Sequence, residues 1–197
     1  MKLGLIMLAA GNSRRFGSNK LLYTIDGEPM YRHILGELLK VQQVLLSKGH
    51  TCRITVVTQY DEIAEDARNQ GAQVLYNLHP DEGISSSLKI GLRFNREMDA
   101  CLFAVSDQPW LCGKTILDLI QVFIREGKGM ACVEHDGKTG NPCIFSEKYF
   151  EELLKLEGDT GGKRVITGHR RDVAVMKITN RQEIMDIDRK EMTDGCP

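Results

Sequence analysis

The sequence predicts a single α/β domain: a doubly wound, mostly parallel sheet with helices on both faces. Three observations carry this. Short β-branched runs alternate with segments of helical spacing. The run "CLFAV" is apolar almost throughout, as a strand covered on both faces should be. The 197 residues, 42% hydrophobic and 27% charged, suffice for one substantial core and contain no composition break. One domain over 1–197 is expected.

The elements follow in order. Strands are expected at 2–8, 53–58 ("RITVVT"), 73–76 ("QVLY"), 99–105 ("DACLFAV"), 129–133 ("GMACV") and 172–178 ("DVAVMKI"), runs too short for independent helices. Met30, Ile34, Leu38, Val41 and Leu45 fall on one helical stripe, and Ile116, Leu119, Ile120 and Phe123 on another. Strand and helix taking turns this often requires parallel strands joined by crossovers.

A formal net charge of −1 argues against a general polyanion binder, so no nucleic-acid partner is expected. The six cysteines form no C-x-x-C pair and sit mostly in apolar runs, which reads as free thiols in a reducing compartment. The N-terminal apolar run is interrupted at once by Gly11 and Arg14, so neither a signal peptide nor a membrane span is expected. These readings point to a cytoplasmic protein.

In a doubly wound sheet, ligands bind outside the carboxyl ends of the strands, and "LAAGNSRRFGSNK" (residues 8–20) follows the first strand. Gly11 and Gly17 allow sharp turns that bring N–H groups close to a ligand, while Arg14, Arg15 and Lys20 supply charge for phosphate oxygens. A polyphosphate is the expected guest. Two familiar phosphate loops are excluded: the spacing from Gly11 to Gly17 breaks G-x-x-x-x-G-K-[ST], and Ser13 occupies the second glycine of G-x-G-x-x-G.

"FAVSDQPWL" places Asp107 directly after an apolar strand that Pro109 stops, hence at the same carboxyl edge. Beside a phosphate loop this carboxylate is a candidate Mg²⁺ ligand, because Mg²⁺ is normally held by one or two carboxylates plus substrate phosphates. The second is expected from "EIMDIDRKE", where Asp186 and Asp188 alternate with apolar residues. The five histidines show no H-x-x-x-H spacing, which argues against zinc.

These residues resemble the MobA-like nucleotidyltransferases. "LAAGNSRRFGSNK" is similar to that family's L-A-A-G-x-x-x-R-[MF]-G-x-x-K signature, and the likeness extends to "SDQP", "GNPCIF", "GDTGGKRVI" and "DID". With "LAAG" and "EGISSSL" (residues 82–88), it leans toward the molybdenum cofactor cytidylyltransferases. The resemblance implies transfer of CMP from CTP onto the terminal phosphate of molybdopterin, with release of pyrophosphate. It places the nucleotide on Leu8, Ala9, Ala10, Gly11, Asn12, Ser13, Arg15, Lys20 and the serines Ser85, Ser86 and Ser87. The acceptor falls to Asn141, Lys163 and Arg164, Mg²⁺ to Asp107 with Asp188 or Asp186, and catalysis to Arg15, Lys20 and Asp107. The chain departs from the family pattern in two places: Arg189 and Lys190 follow "DID" where "TP" is usual, and Lys163 stands where arginine is expected. Two other readings remain: transfer to a sugar or polyol phosphate, from CTP or GTP, and a nucleotide-binding module without turnover.

Overall fold

A computed structural model describes residues 1–13 and 16–188. In chain order the elements are β1 (Lys2–Ala9), β2 (Thr24–Ile25), β3 (Glu28–Pro29), α1 (Met30–Ser47), β4 (Thr51–Thr58), α2 (Asp61–Asn69), β5 (Gln73–Tyr76), α3 (Ile84–Phe94), β6 (Ala100–Val105), α4 (Gly113–Glu126), β7 (Met130–His135), β8 (Lys138–Ser146), α5 (Phe150–Leu153), α6 (Lys163–Gly168) and β9 (Val173–Lys177). Among the described residues the main sheet has seven strands in the order β5-β4-β1-β6-β8-β7-β9, and β2 and β3 form a separate hairpin. All pairings in the main sheet are parallel except those of β8, which runs antiparallel to both β6 and β7.

The alternation of β1 creates the two layers. Leu3, Leu5, Met7 and Ala9 face a core built with α1, α2 and α4 through Ile34, Leu38, Ile63, Ile116 and Ile120. Ile6 and Leu8 face the opposite core, with Leu88 and Leu92 of α3, Phe150 and Leu153 of α5, and Val165 and Ile166 of α6. Both predicted helical stripes are buried here. Within the first layer one helix caps another: Glu37 of α1 accepts a 2.6 Å hydrogen bond from the Gly113 N–H at the start of α4, satisfying a donor that the helix leaves open. Gly127, at φ 62°, ends α4 in the left-handed conformation glycine tolerates.

The predicted strands are all present, with small shifts at their ends. The short β2–β3 hairpin was not predicted, and the strand of the main sheet missing from the sequence reading is β8. Its Gly140, Asn141 and Pro142 carry the marks of a loop, and the structure explains why a strand accepts them. Cys132 pairs with Cys143 but Val133 pairs with Gly140, so the register shifts there and β8 carries an irregularity around Asn141 and Pro142. A bulge of this kind admits proline and re-aims its side chains. This strand supplies the antiparallel pairings of the mostly parallel sheet that the sequence predicts.

The carboxyl ends of β4, β1 and β6 lie side by side, Ala9 beside Thr58 and Leu8 beside Val105. The chain leaves β1 for β4 on one side and later adds β6 on the other, so the crevice above β1 is a topological switch point, where such sheets bind ligands.

Candidate active site

The loop after β1 is held from three sides. Ser106 donates to the Leu8 carbonyl through both its N–H (3.1 Å) and its hydroxyl (2.8 Å). Thr58 Oγ1 donates to the Ala9 carbonyl, Gln59 Nε2 to the Ala10 carbonyl and Tyr60 OH to the Gly11 carbonyl, at 2.9, 2.9 and 2.7 Å. Four successive carbonyls are thus engaged by donors at and just beyond the carboxyl ends of β6 and β4. Further along, Ser13 adopts φ 48° and its hydroxyl accepts from the Lys20 N–H at 3.2 Å, while Phe16 is buried edge-on against Tyr23 with ring centroids 5.3 Å apart. These contacts deliver Lys20 to the head of a short 3-10 turn, Lys20–Leu22.

Lys20 is the centre of the site. Only 9% of its surface is exposed, and its Nζ donates to Asp107 Oδ2 at 2.7 Å, to the Ile187 carbonyl at 3.1 Å and to Asp188 Oδ1 at 3.3 Å. Burial disfavours the ammonium charge, yet Asp107 and Asp188 outweigh that effect and hold the Lys20 pKa above its ordinary value. The segment carrying Asp188 is anchored by Ile187, whose side chain is fully buried and whose N–H donates to the Asp107 carbonyl at 3.0 Å. Asp186, on the other side of Ile187, accepts instead from Gln108 Nε2 at 2.8 Å. Desolvation, together with repulsion from Asp107 and Asp188, raises the Asp186 pKa against that hydrogen bond. Gln108 also donates to the Ile184 carbonyl at 3.2 Å, and its Oε1 is buried without a partner among the described residues.

Two cavities meet at this cluster. One, of about 440 Å³, is lined by Leu8, Ala10, Gly11, Asn12, Ser13, Lys20, Ser87 and Asp107, together with Asp81 and Asp159. The other, of about 700 Å³, is lined by Gln108, Asn141, Cys143, Lys163, Asp186 and Asp188. Across the first cavity the wall is closed by Gly83, at φ 86°. A Cβ there would come within 2.4 Å of the Gly158 backbone, so this close approach requires glycine.

The predicted site residues are distributed as follows. The structure brings together Lys20, Asp107 and Asp188, and places Asn141 and Lys163 on one cavity. Asp186 lies beside them with Gln108 as its partner. Arg15 lies outside the described residues. Ala9 is buried beneath the loop. Of the three serines, all buried, Ser86 donates to Asn77 Oδ1 at 3.1 Å and Asn77 Nδ2 donates to Ser87 Oγ at 2.9 Å. Ser86 and Ser87 brace a buried asparagine, and Ser87 is the member of the trio that lines the cavity. Arg164 is exposed and does not line the larger cavity. Gln108, Asp81, Gln59 and Tyr60 escaped the sequence reading; for Gln108 the available signal was its place directly after Asp107.

The donor set suits a hard divalent cation. Among the described residues no group of three His, Cys, Asp or Glu side chains is preassembled for a metal, but two carboxylates converge on a single positive charge at 2.7 and 3.3 Å. Two carboxylates are what a protein commonly contributes to a Mg²⁺ or Mn²⁺ site that phosphates and water complete. Cysteine chemistry is disfavoured: burial raises the Cys132 thiol to about 11 and the Cys143 thiol further, so neither offers a thiolate near neutral pH.

A loop at the switch point, a buried lysine and paired carboxylates between two cavities define a class of α/β proteins that handle nucleoside phosphates. Within that class the chain belongs to the MobA-like NTP transferase domain family, whose pattern matches residues 5–173. It is 29% identical over 137 residues to a probable molybdenum cofactor guanylyltransferase of Pyrococcus horikoshii, a match covering 68% of this chain and 62% of that protein. It is also 27% identical to the purine catabolism protein PucB of Bacillus subtilis, over 96% of this chain and 93% of that protein. Among solved structures, Rv0371c of Mycobacterium tuberculosis H37Rv in complex with manganese shares the fold, with a TM-score of 0.67 and 20% identity, covering 91% of this chain and 90% of that one. No helix among the described residues is long and apolar enough to cross a membrane.

Proposed function

We propose that the protein transfers CMP from CTP to the terminal phosphate of molybdopterin, releasing pyrophosphate, with Mg²⁺ as cofactor. The observation that carries this reading is the position of the Lys20, Asp107 and Asp188 cluster on the divide between the two cavities. Nucleotide on one side and acceptor on the other would bring their phosphates together over one lysine and two carboxylates.

The acceptor phosphate monoester has its second pKa near ~6 and is already a largely anionic nucleophile at neutral pH. No general base is needed. An acceptor oxygen bonds to the α-phosphorus as the bond from that phosphorus to the oxygen bridging to the β-phosphate breaks, and pyrophosphate leaves with the electron pair. The protein's tasks are in-line placement and neutralisation of charge. Lys20 supplies a positive charge toward the leaving pyrophosphate, and the anchored loop carbonyls keep residues 8–13 fixed under the nucleotide. A bound Mg²⁺, held by Asp107 and Asp188, would supply further neutralisation of the phosphates. The role of Arg15, a planar fork for non-bridging oxygens, is part of the same proposal.

CTP is favoured by the "LAAG" form of the loop, in which Ala10 lines the smaller cavity. GTP is the competing donor, because the Pyrococcus relative is named a guanylyltransferase. Pyrophosphate release with molybdopterin and Mg²⁺, followed with CTP and GTP at equal subsaturating concentrations, tests both claims. Faster release with CTP supports the reading. Faster release with GTP moves the protein to guanylyl transfer, and no release with either nucleotide removes the transferase proposal.

A further inference from the structure

The smaller cavity is lined by two carboxylates that come from opposite sides of β1. Asp107 follows β6 and holds Lys20, whereas Asp81 lies in a 3-10 turn, Pro80–Glu82, that follows β5. The strands run in the order β5-β4-β1-β6, so the loop after β1 lies between these two acids. Asp81 is joined to that loop: Asn12 Nδ2 donates to Asp81 Oδ1 at 2.8 Å. Gln59 Nε2, just beyond β4, donates to Asn12 Oδ1 at 2.8 Å, which fixes the Asn12 amide with its nitrogen turned to Asp81. The turn is also held from behind. Asn77, 1% exposed and braced by Ser86 and Ser87, accepts from the His79 N–H at 2.9 Å, and its own N–H donates to the Thr58 carbonyl at 2.8 Å.

We infer that Asp81, together with Asn12, reads the substituent at C4 of a pyrimidine base and selects the 4-amino group of cytosine against the 4-oxo group of uracil. The inference rests on the transferase reading, which puts the phosphates of the nucleotide at Lys20 and Asp107, and it names a residue that sets the choice of base. A nucleotide so placed extends its base toward the β5 side of the cavity, where Asn12 and Asp81 stand. A carboxylate has about four acceptor sites, of which Asn12 uses one, and the Asn12 amide has a second N–H. Cytosine presents an acceptor, N3, beside a donor, the 4-amino group, and so complements an amide N–H beside a carboxylate. Uracil presents the reverse, N3–H beside O4, and its O4 would meet the Asp81 charge with no proton between them. The two bases are nearly equal in size, so the volume of the cavity cannot make this choice. A site built to hydrogen-bond one group rejects the analogue that lacks it.

The test is titration calorimetry of the intact protein with CTP and with UTP, each with Mg²⁺ and without acceptor. Wild type should bind CTP at least about 100-fold more tightly than UTP. Asp81→Asn keeps an oxygen for Asn12 and offers an N–H to O4, so the preference should fall to about fivefold or less, with UTP bound more tightly than by wild type. Asp81 is exposed, so the variant should keep the wild-type circular dichroism spectrum and melting temperature. A residue that only latched the loop would change the affinity for both triphosphates alike and leave their ratio as it was. Equal affinity of wild type for CTP and UTP, or a preference that survives Asp81→Asn, overturns the inference and leaves the transferase reading standing. GTP is titrated alongside: if wild type binds none of the three triphosphates, the transferase reading fails and the inference fails with it.

Discussion

Lys20 Nζ stands 2.7 Å from Asp107 Oδ2 and reaches Asp188 Oδ1 on its other side, so one ammonium group fills the position between two carboxylates suited to a metal ion. In the proposed enzyme the arriving triphosphate gives Lys20 other oxygens to bind and frees the two carboxylates for Mg²⁺. Removing the ammonium should therefore strengthen metal binding without nucleotide. Lys20→Met is expected to tighten Mn²⁺ binding by about tenfold, equivalent to ~1.4 kcal/mol, and to weaken triphosphate binding. Free Mn²⁺ measured by electron paramagnetic resonance, with and without CTP, checks both. Unchanged or weaker Mn²⁺ binding would refute this competition.

Asp188 and Asp186 should separate in their effects. Asp188→Asn removes a carboxylate facing Lys20 and should lower turnover by at least about 100-fold, the scale of losing one electrostatic contact to the reacting charges. Asp186→Asn keeps an oxygen that accepts from Gln108 and should cost less than about tenfold. Turnover with saturating nucleotide and acceptor distinguishes them, and equal losses would contradict the division of roles.

The fold was largely legible in the sequence because its strands are apolar and its long helices amphipathic. β8 was not, because Gly140, Asn141 and Pro142 meet a register shift with β7 and look locally like a turn. Lys20 and Asp107 were legible as candidates because each follows a strand that ends at the switch point, and Asp188, with Asp186, because the two alternate with apolar residues in "EIMDIDRKE". Their mutual contacts were not: Lys20 and Asp188 are separated by most of the chain, and Ile187 holds the "DID" segment through burial that single-residue types do not announce. The burial of Ser85 and Ser86 was not legible either, because a polar residue opening a helix reads as exposed, whereas here Asn77 draws Ser86 inward.

Gly83→Ala should destabilise the wall of the smaller cavity. The residue sits at φ 86°, and the added Cβ would collide with backbone at Gly158 and Asp159, which has no side-chain rotamer with which to yield. A loss of about 1–3 kcal/mol is expected, seen as a lower melting temperature and weaker nucleotide binding. A melting temperature equal to wild type would show that the wall is looser than this packing implies.

Acid stability should depend on Asp172. Its carboxylate accepts from Lys148 Nζ at 2.7 Å, the Gly129 N–H at 3.0 Å and Tyr149 OH at 2.7 Å, and the Lys148 hydrogen bond leads these in holding its pKa well below the ordinary carboxylate value. A carboxylate with a depressed folded-state pKa stabilises the fold above its unfolded pKa, near ~4. That contribution is lost as pH falls through the depressed folded value. Asp172→Asn should lower the melting temperature at pH 7 and narrow the gap to wild type as the pH falls below 4. A gap that stays constant from pH 7 to 2.5 would contradict the assignment.

The central claim is that a nucleotide's α-phosphoryl group moves to a phosphorylated acceptor over Lys20 and Asp107. Its most direct measurement is a single-turnover reaction with CTP labelled at the α-phosphorus, molybdopterin and Mg²⁺, in wild type and Asp107→Asn. The account predicts that wild type moves the label into the acceptor with one pyrophosphate released per label transferred, while Asp107→Asn, folded and still binding CTP, moves none. Label transfer by Asp107→Asn at the wild-type rate would contradict it.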